Sequence, residues 1–440
     1  MKVLKFGGTS VGSAQRMKQV SDIILDGEPK IVVLSAVSGT TNALVEIGEK
    51  IGANLQDEAK KLIEKLEASY YVIIEDLYQK QESKDRAKEI ILEHFNFMKS
   101  FVVKVYNVFQ ERTLLAQGEL ISTKLFHIFL LENNVNAVLL PALDFMRIDI
   151  DEEPDMPYIR EHAAKELAKQ PGAEIYITQG FICRNSFGEI DNLKRGGSDY
   201  TASIIGNAIN ASEIQIWTDI DGMHNNDPRV VEKTKPVAKL NFDEAAELAY
   251  FGAKILHPQS IRPAAQANIP VKLLNTMEPS AKGTTIYKDS DTEGDKIKAI
   301  AAKDGIVAIK IKSARMLLAY GFLRSVFEVF ERYKTPIDMI TTSEVAVSLT
   351  IDKLTHLDQI IEELEGFGNV EVDKNQTIIC IVGNMINEEE GMAAKIFTTL
   401  KNVPLRMISY GGSKNNVSIL VDSTYKNKAL NELNNGLFTF

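Results

Sequence analysis

The sequence lacks the features that would place the protein outside the cell or in a membrane. It has only two cysteines, Cys183 and Cys380, far apart in the chain, so a structural disulfide is not expected and reduced thiols are. No apolar run reaches the ~18 residues of a membrane span, and the N-terminus runs into glycines without the apolar core of a signal peptide. These absences predict a soluble, cytoplasmic protein.

A surplus of positive charge is also missing. The chain has 60 acidic and 50 basic residues, for a net charge of −10. Such a chain repels phosphate at long range, which argues against nonspecific binding to nucleic acid or anionic membranes. A small anionic substrate remains compatible if local cations gather around it. The six histidines show no metal-site spacing, and no Ser–His–Asp or Cys–His arrangement is indicated.

The composition is that of a globular protein with more than one domain. The chain has 440 residues, of which 45% are hydrophobic and 25% charged, so two or three domains are expected. In the first part, short apolar strands alternate with helical stretches, which predicts an α/β fold with a largely parallel sheet. The candidate strands are Val3–Lys5, Ile31–Ala36, Ala137–Leu140, Glu174–Thr178, Gln215–Asp219 and Val271–Leu274. Helical apolar stripes run over Leu62–Leu77 and Phe95–Phe109.

The C-terminal part contains a weak internal repeat. A polar stretch over residues 282–303 is interpreted as a linker. Beyond it, Val347–Asp352 matches Val417–Asp422, and Pro336–Thr341 resembles Pro404–Ser409. Each copy follows an amphipathic helical stretch. Helix, strand, turn and strand, twice over, predict two small α+β units of the ferredoxin-like kind.

The strongest local motif is Lys5–Val11 (KFGGTSV), directly after the first strand. Its two adjacent glycines let the backbone approach a polyanion, and its N–H groups and hydroxyls can line a phosphate cradle. Lys5 adds a cation. The glycine spacings are those of neither a Walker A loop nor a dinucleotide-binding fingerprint. A plain strand–turn–helix corner is the alternative.

A second double glycine occurs in Lys194–Asp199 (KRGGSD), followed by a helical run over Tyr200–Ala211. Ser198 is predicted as the helix N-cap, and Asp199 suits the positive first turn. Arg195 can offer a bidentate fork to a carboxylate. Read alone, the segment is also compatible with a simple capped helix.

Two further segments carry polar groups at the ends of predicted elements. Trp217–Met223 (WTDIDGM) ends a strand and is followed by Arg229, so the loop could wrap a nucleotide, although Asp-Gly and Asp-Pro are also ordinary turn formers. Phe251–Pro258 (FGAKILHP) follows the acidic stretch Phe242–Tyr250 and contributes Lys254, which by itself is a weak signal.

At these residues the sequence resembles the aspartokinases, most closely the lysine-sensitive monofunctional type, over nearly the whole chain. Further matching segments are Leu34–Ala36, Thr41–Asn42, Gly118–Ser122, Thr178–Ile182 and Ile340–Val345. The resemblance implies an amino-acid-kinase fold, a largely parallel sheet sandwiched by helices, followed by two ferredoxin-like ACT domains. The expected boundaries are 1–288 for the kinase domain, 289–303 for a linker, 304–375 for the first ACT domain and 376–440 for the second, with interleaving allowed.

The resemblance also implies the reaction. ATP would donate its γ-phosphoryl group to the β-carboxylate of L-aspartate, giving 4-phospho-L-aspartate for lysine, threonine, methionine and diaminopimelate synthesis. Mg²⁺ would accompany ATP, with no metal held by protein ligands alone. Lysine is the expected feedback inhibitor, and a homodimer or a dimer of dimers is the expected assembly.

The resemblance carries roles onto individual residues, in three sets. The catalytic set is Lys5, Asp199 and Lys254. The substrate-binding set is Ser35, Thr41, Glu119, Arg195, Gly196, Gly197 and Ser198, with Glu119 on the substrate ammonium and Arg195 on a carboxylate. The ATP-binding set is Lys5, Gly7, Gly8, Thr9, Ser10, Thr218, Asp219, His224, Arg229 and Lys254, with His224 in place of the family's usual tyrosine.

An effector site for lysine is expected in the first ACT unit. Its residues are Met316, Ala319, Gly321, Phe322, Leu323, Asp338, Ser343, Glu344 and Val345. Ala319 replaces a serine, a loss of about 0.5–1.5 kcal/mol of hydrogen bonding, and Pro336 replaces another small residue. For the apolar members, ordinary core packing is the competing interpretation.

Two alternatives to an aspartate kinase are left open. One is another carboxylate kinase of the same fold, which the ACT-like repeats and the Phe251–Pro258 segment disfavour. The other is a noncatalytic amino-acid sensor, which the intact set of charged residues disfavours. Fusion to a homoserine dehydrogenase is not expected, because no dinucleotide-binding fingerprint is present.

Overall fold

The computed structural model describes residues 1–103, 106–193, 196–252, 256–288, 296–313, 316, 320–384, 386 and 388–439. The chain divides into two compact units. The first consists of Met1–Met223, Ala238–Phe242 and Ile255–Asp289. The second consists of His224–Val237, Asp243–Lys254 and Ser290–Phe440. Each unit is described by itself.

The first unit is built around one sheet. Its strands in the described chain are β1 (Lys2–Phe6), β2 (Lys30–Leu34), β3 (Ala137–Leu140), β4 (Ile175–Gln179), β7 (Ile214–Thr218), β8 (Lys239–Asn241), β9 (Val271–Asn275) and β10 (Thr284–Tyr287). A separate hairpin pairs β5 (Ile182–Arg184) with β6 (Ile190–Asn192). The sheet order is β3-β4-β2-β1-β7-β9-β10-β8, parallel except where β10 meets β9. The predicted α/β fold with a largely parallel sheet is confirmed.

Helices connect these strands, and most of them are long. They are α1 (Ala14–Ile24), α2 (Thr40–Gly52), α3 (Gln56–Leu77), α4 (Gln81–Phe101), α5 (Val108–Glu132), α6 (Ala142–Phe145), α7 (Met156–Ala168), α8 (Gly197–Ala208) and α10 (Pro258–Ala267). The apolar stripe predicted as continuous over Phe95–Phe109 is divided between α4 and α5. Asn107 causes the new start, because its side chain accepts from the N–H groups of Phe109 and Gln110 in a capping box.

Helix α5 is the main core helix of the first unit. It packs against β2, β3 and β4 and against α4. By length and composition it could cross a membrane, but 72% of its apolar window is buried inside the protein. Its apolar character is therefore explained by core packing, as is usual for a helix that is hydrophobic all round.

The second unit is built around an antiparallel sheet. Its strands are β11 (Ile297–Lys312), β12 (Ile340–Thr342), β13 (Ala346–Ile351), β14 (Asn369–Gly383), β15 (Met407–Tyr410) and β16 (Asn416–Asp422). Its helices are α9 (Phe242–Tyr250), most of which lies in this unit, and α11 (Phe322–Arg332), α12 (Leu357–Glu365), α13 (Met392–Thr399) and α14 (Lys426–Leu437). The sheet order is β12-β13-β11-β14-β16-β15.

This order confirms the internal repeat. The matching segments form β13 and β16, and each pairs with an outer strand and with a long central strand. The central strands β11 and β14 run through both halves, with register shifts between Lys303 and Ala308. Two apolar clusters, one under each half of the sheet, are the cores of the two repeats.

The polar linker is shorter than predicted. Residues 297–303 form the first part of β11, where Lys303 pairs with Ile378 in β14. Residues 284–287 belong to β10. The polar character of this stretch suggested a loop, but strand pairing on the sheet overrides it. Because residues 297–303 pair with the part of β14 that adjoins β16, the second repeat also draws on a strand that precedes the first.

Candidate active site

Four neighbouring parallel strands end at the same edge of the first sheet. β4, β2, β1 and β7 are adjacent and parallel, so their carboxyl ends lie side by side. Ligands of open α/β sheets bind at this edge. The residues at these ends are Lys5 in β1, Ser35 after β2, Gly180 after β4 and Thr218 at the end of β7.

An ion pair joins the two double-glycine segments. The Nζ atom of Lys5 lies 2.7 Å from Oδ1 of Asp199, in the first turn of α8, and the two side chains are only 11% and 17% exposed. A Cβ atom on Gly7 would lie 3.4 Å from the same Nζ. The first glycine turn, Lys5 and the start of α8 therefore share one pocket edge.

The first glycine turn is tightly packed. The N–H of Gly7 donates to the carbonyl of Trp217, and Ser10 donates back to Gly7. A Cβ atom on Gly8 would lie 3.0 Å from the carbonyl oxygen of Ala36, so the turn approaches the loop after β2 closely. The Ser10 hydroxyl is fully buried and bonds to that of Thr276 at 2.7 Å, which makes it part of the support of the turn.

The second glycine pair starts helix α8, and here one prediction is wrong. The N-cap is Gly196, with φ 79°, and not Ser198. A side chain at Gly196 would be strained by that φ and would place its Cβ 3.1 Å from Cβ of Ser260. Ser198 is instead the second helical residue, and its hydroxyl accepts a 2.9 Å hydrogen bond from Ser35. Gly197 has φ 36° and packs against Phe181.

Glu119 is buried on α5 beside the loop after β2. Its Oε1 accepts the N–H of Ala36 at 3.2 Å, and the side chain is almost inaccessible to solvent. Among the residues that the structure describes, its Oε2 is buried without a hydrogen-bond partner. Burial raises the pKa of Glu119 to about 8, against the opposing effect of the backbone N–H donors. A donor brought by a ligand, above all a cation, would satisfy this oxygen.

Four other predicted residues lie at the same edge of the sheet. Thr41 is exposed in the first turn of α2. The Thr218 hydroxyl donates to Oδ1 of Asp219 at 3.1 Å, and Asp219 is exposed. Thr9 is half-buried within the first glycine turn.

His224 and Arg229 belong to the second unit. Nδ1 of His224 lies 3.0 Å from the Thr234 hydroxyl oxygen. The Arg229 side chain is 80% exposed and makes a two-bond pair with Asp227, two residues earlier. Arg195, Lys254 and Ala319 lie outside the described residues. In the described part of the chain, His, Cys, Asp and Glu side chains form no group of three that could hold a metal.

Three residues at this edge received no individual role from the sequence. The Ser122 hydroxyl donates to the carbonyl of Ser35 at 2.9 Å. A Cβ atom on Gly180 would lie 2.4 Å from Oγ of Ser198, so only glycine fits there. Phe181 has φ 67°, unusual for a bulky residue, and receives support from Thr201 at its N–H. The position of Gly180 directly after an apolar strand was the available signal.

The described members of the predicted effector set belong to the first repeat of the second unit. Gly321, with φ 85°, caps α11, and Phe322 packs edge-on against Phe367. Asp338 is buried and paired with Lys303. The remaining described members vary in exposure: Met316 is half-buried, and Leu323, Ser343, Glu344 and Val345 are exposed.

A cavity of about 570 Å³ opens beside part of this set. It is lined by Lys310, Lys312, Ser313, Thr341, Thr342, Ser343, Val345, Ala346 and Ser348. Hydroxyl groups and two ammonium groups therefore dominate its polar lining. Ser343 and Val345 are the two predicted effector residues that reach it.

Comparison with known proteins defines the class of enzyme. The family model described as "Amino acid kinase family" matches residues 1–275, and an ACT domain model matches residues 379–437. A kinase fold followed by an ACT region is therefore confirmed, and the first match alone covers more than half of the chain.

Closer relatives narrow the class. Lysine-sensitive aspartokinase 3 of Escherichia coli is 34% identical over 451 residues, which cover 99% of this chain and 99% of the relative. The crystal structure of E. coli aspartokinase III in complex with aspartate and ADP matches with a TM-score of 0.85 at 33% identity, covering 100% of both chains. The same enzyme in complex with lysine and aspartate matches with a TM-score of 0.83 at 32% identity, again over 100% of both chains. The chain belongs to the aspartokinase family.

Proposed function

We propose that this protein transfers the γ-phosphoryl group of ATP to the β-carboxylate of L-aspartate, forming 4-phospho-L-aspartate. The observation that carries the proposal is the Lys5–Asp199 ion pair, which joins both double-glycine segments at the carboxyl edge of the parallel sheet. Aspartate and ADP are bound by the related E. coli enzyme, whose fold covers this whole chain.

The reaction needs charge stabilisation more than proton transfer. The aspartate carboxylate is already ionised at neutral pH, so no general base is required. The difficulty is bringing that carboxylate to a polyanionic phosphate, which positioning and cations overcome. Lys5 provides a fixed ammonium at the glycine turn, and Asp199 holds it in place.

The residues at this edge fit MgATP. A phosphate oxygen in the space that a Cβ atom on Gly7 would fill would lie next to the Lys5 ammonium. The Asp199 carboxylate can hold a cation that accompanies the phosphates. Bound Mg²⁺ would neutralise charge on the transferring group. Arg195 and Lys254 are further expected cations.

Glu119 is suited to the ammonium group of aspartate. Its buried Oε2 offers an acceptor, and an arriving cation would favour the ionised carboxylate that burial disfavours. The hydroxyl pair of Ser35 and Ser198 lies at the end of β2 and the start of α8, where it can donate to a substrate carboxylate.

Lysine is the proposed feedback inhibitor, acting through the first repeat of the second unit, which contains Asp338. The relative is named lysine-sensitive and has been crystallised with lysine. A cytoplasmic location and a dimer or dimer of dimers complete the proposal. Titration of the initial rate with lysine, threonine and methionine would identify the inhibitor.

The activity can be tested by trapping the acyl phosphate as a hydroxamate. The purified chain with MgATP should form hydroxamate from aspartate and much less from glutamate. Lys5→Ala should lower kcat/KM by about a hundredfold or more, because it removes a charged partner of a largely buried pair. Lys2→Ala is the matched control, since Lys2 lies in the same strand but pairs with the exposed Glu28.

Two outcomes would contradict the proposal. Preference for glutamate would indicate another carboxylate kinase of the same fold. Amino-acid binding without any turnover would indicate a noncatalytic sensor.

A further inference from the structure

A second cluster of charged side chains lies in the second unit, away from the chemistry described above. The Lys303 ammonium in β11 lies 2.7 Å from Oδ1 of Asp338 and 2.8 Å from Oδ2 of Asp352. The Tyr250 hydroxyl, on the last residue of α9, donates to the same Oδ1 of Asp338 at 2.8 Å. Lys303, Asp338, Asp352 and Tyr250 are called the Asp338 cluster below.

The cluster is tightly held around a buried carboxylate. The Asp338 side chain is 1% exposed and that of Lys303 is 19% exposed, so their attraction is weakly screened. The Lys303 ammonium also lies 4.6 Å from the centre of the Tyr250 ring, a cation–π distance. Burial lowers the pKa of Lys303, but its bonds to Asp338 and Asp352 outweigh that effect and raise it. Lys303 therefore stays cationic at neutral pH.

One oxygen atom of the Asp338 carboxylate has no donor among the described residues. Within the described residues, its Oδ2 atom is buried without a hydrogen-bond partner. A buried acceptor of this kind is costly until a donor reaches it. A cationic donor at Oδ2 would lie beside the Lys303 ammonium on the same carboxylate, and the two like charges would repel. Ligand binding and the Lys303 contact thus oppose each other.

We propose that Lys303 and Tyr250 act as an internal competitor for the Asp338 carboxylate and set the concentration at which a cationic amino acid can bind there. Asp352 gives the Lys303 ammonium a partner that it keeps when Asp338 turns to the ligand. The inference rests on the proposed function only for the identity of the effector, lysine.

Tyr250 lies directly before the Phe251–Pro258 segment, which contains Lys254. Gly252, two residues later, has φ 121°, and a Cβ atom there would lie 2.2 Å from the carbonyl oxygen of Ala302, the neighbour of Lys303. The end of α9 is thus fixed to β11 by a side chain and by close backbone packing. Lys254 follows four residues after Tyr250 in the sequence. Tyr250→Phe therefore removes one contact between the end of α9 and the Asp338 cluster.

The test is calorimetric binding of L-lysine to the full-length chain. Tyr250→Phe removes only the hydroxyl, so lysine should bind about fivefold more tightly, in line with the loss of a competing charge-assisted bond. Lys303→Met should tighten binding further, by about tenfold or more, because it removes the competing cation. The lysine concentration for half-inhibition, relative to each variant's own uninhibited rate, should fall in the same order.

Tyr333→Phe is the matched control. Its hydroxyl also donates to a carboxylate of the second unit, that of Glu363 at 2.7 Å, but it is not part of the Asp338 cluster. Its lysine affinity should stay within about twofold of the parent's.

Unchanged or weaker lysine binding in Tyr250→Phe would overturn the inference, and so would failure of the parent protein to bind lysine. If Lys303→Met does not fold, Tyr250→Phe decides. Calorimetry needs no turnover. A failed hydroxamate assay would therefore reject the proposed activity, and the lysine affinities of the variants could still be compared.

Discussion

Two buried carboxylates, one in each unit, are proposed to receive an ammonium group, yet they are partnered differently. Glu119 accepts the backbone N–H of Ala36 and has a buried oxygen without a partner among the described residues. Asp338 already holds the Lys303 ammonium and the Tyr250 hydroxyl. In a substrate site of this kind, the carboxylate lacks a cationic partner until the ligand supplies one. A regulatory site gains a threshold when the chain supplies a competing cation.

The largest expected effect is at Glu119, the carboxylate that is proposed to bind the ammonium group of aspartate. Glu119→Gln should raise the KM for aspartate by at least about a hundredfold, because a buried ammonium would lose its ionised partner. Steady-state kinetics with aspartate as the varied substrate measures this change.

The matched control is Glu213→Gln. Glu213 pairs with Lys272 at 2.7 Å and precedes β7, at the opposite edge of the same parallel sheet. Its KM for aspartate should stay close to that of the parent. A similar rise in both variants would indicate general damage to the fold and not a lost substrate contact.

A smaller effect is expected at Asp338, the carboxylate that is proposed to bind lysine. Asp338→Asn should weaken lysine binding by about tenfold to a hundredfold, since a neutral amide cannot pair with an ammonium. Hydroxamate formation without lysine should continue. Asp373→Asn, which disturbs the exposed pair with Arg406 in the same unit, should leave lysine binding unchanged. Lysine binding of parental strength by Asp338→Asn would exclude Asp338 as a ligand.

The smallest expected effect is a pH-dependent difference in stability. Burial raises the pKa of Glu119 from the ordinary 4.5 to about 8, so the folded chain holds a proton that the unfolded chain releases. The contribution of Glu119 to the stability of the parent therefore falls as pH rises from 5 towards 8. Glutamine does not titrate, so Glu119→Gln should gain several degrees in Tm relative to the parent at pH 8 compared with pH 5. An equal Tm difference at both pH values would contradict the unpaired burial of Glu119.

Much of the fold could be predicted because short stretches of the sequence indicate their own secondary structure. Strands such as Ala137–Leu140 are apolar runs between turn signals, and the acidic helix Phe242–Tyr250 has the bounds that its composition suggests. The glycine pairs indicated close backbone approach, and the structure brings them together through Lys5 and Asp199. Their roles in binding remain predictions.

What could not be predicted depends on partners distant in sequence. Residues 297–303 look polar, and only pairing with β14 makes them a strand. The helix start at Gly196 follows from a left-handed backbone beside Ser260, which a preference for serine caps cannot reveal. The Asp338 cluster joins four separate segments, and no single motif contains more than one of its members.

The long strand β11 restricts how the length of this chain can change. Its side chains alternate between the two faces of the sheet. Deleting one residue after the register shifts, such as Ala308, would therefore turn Ile309 and Ile311 outward and Lys310 into the apolar core. The register shifts between Lys303 and Ala308 are the place where the ladder already absorbs such a mismatch. Single-residue insertions or deletions should therefore survive near Gly305 and be lost between Ile309 and Lys312.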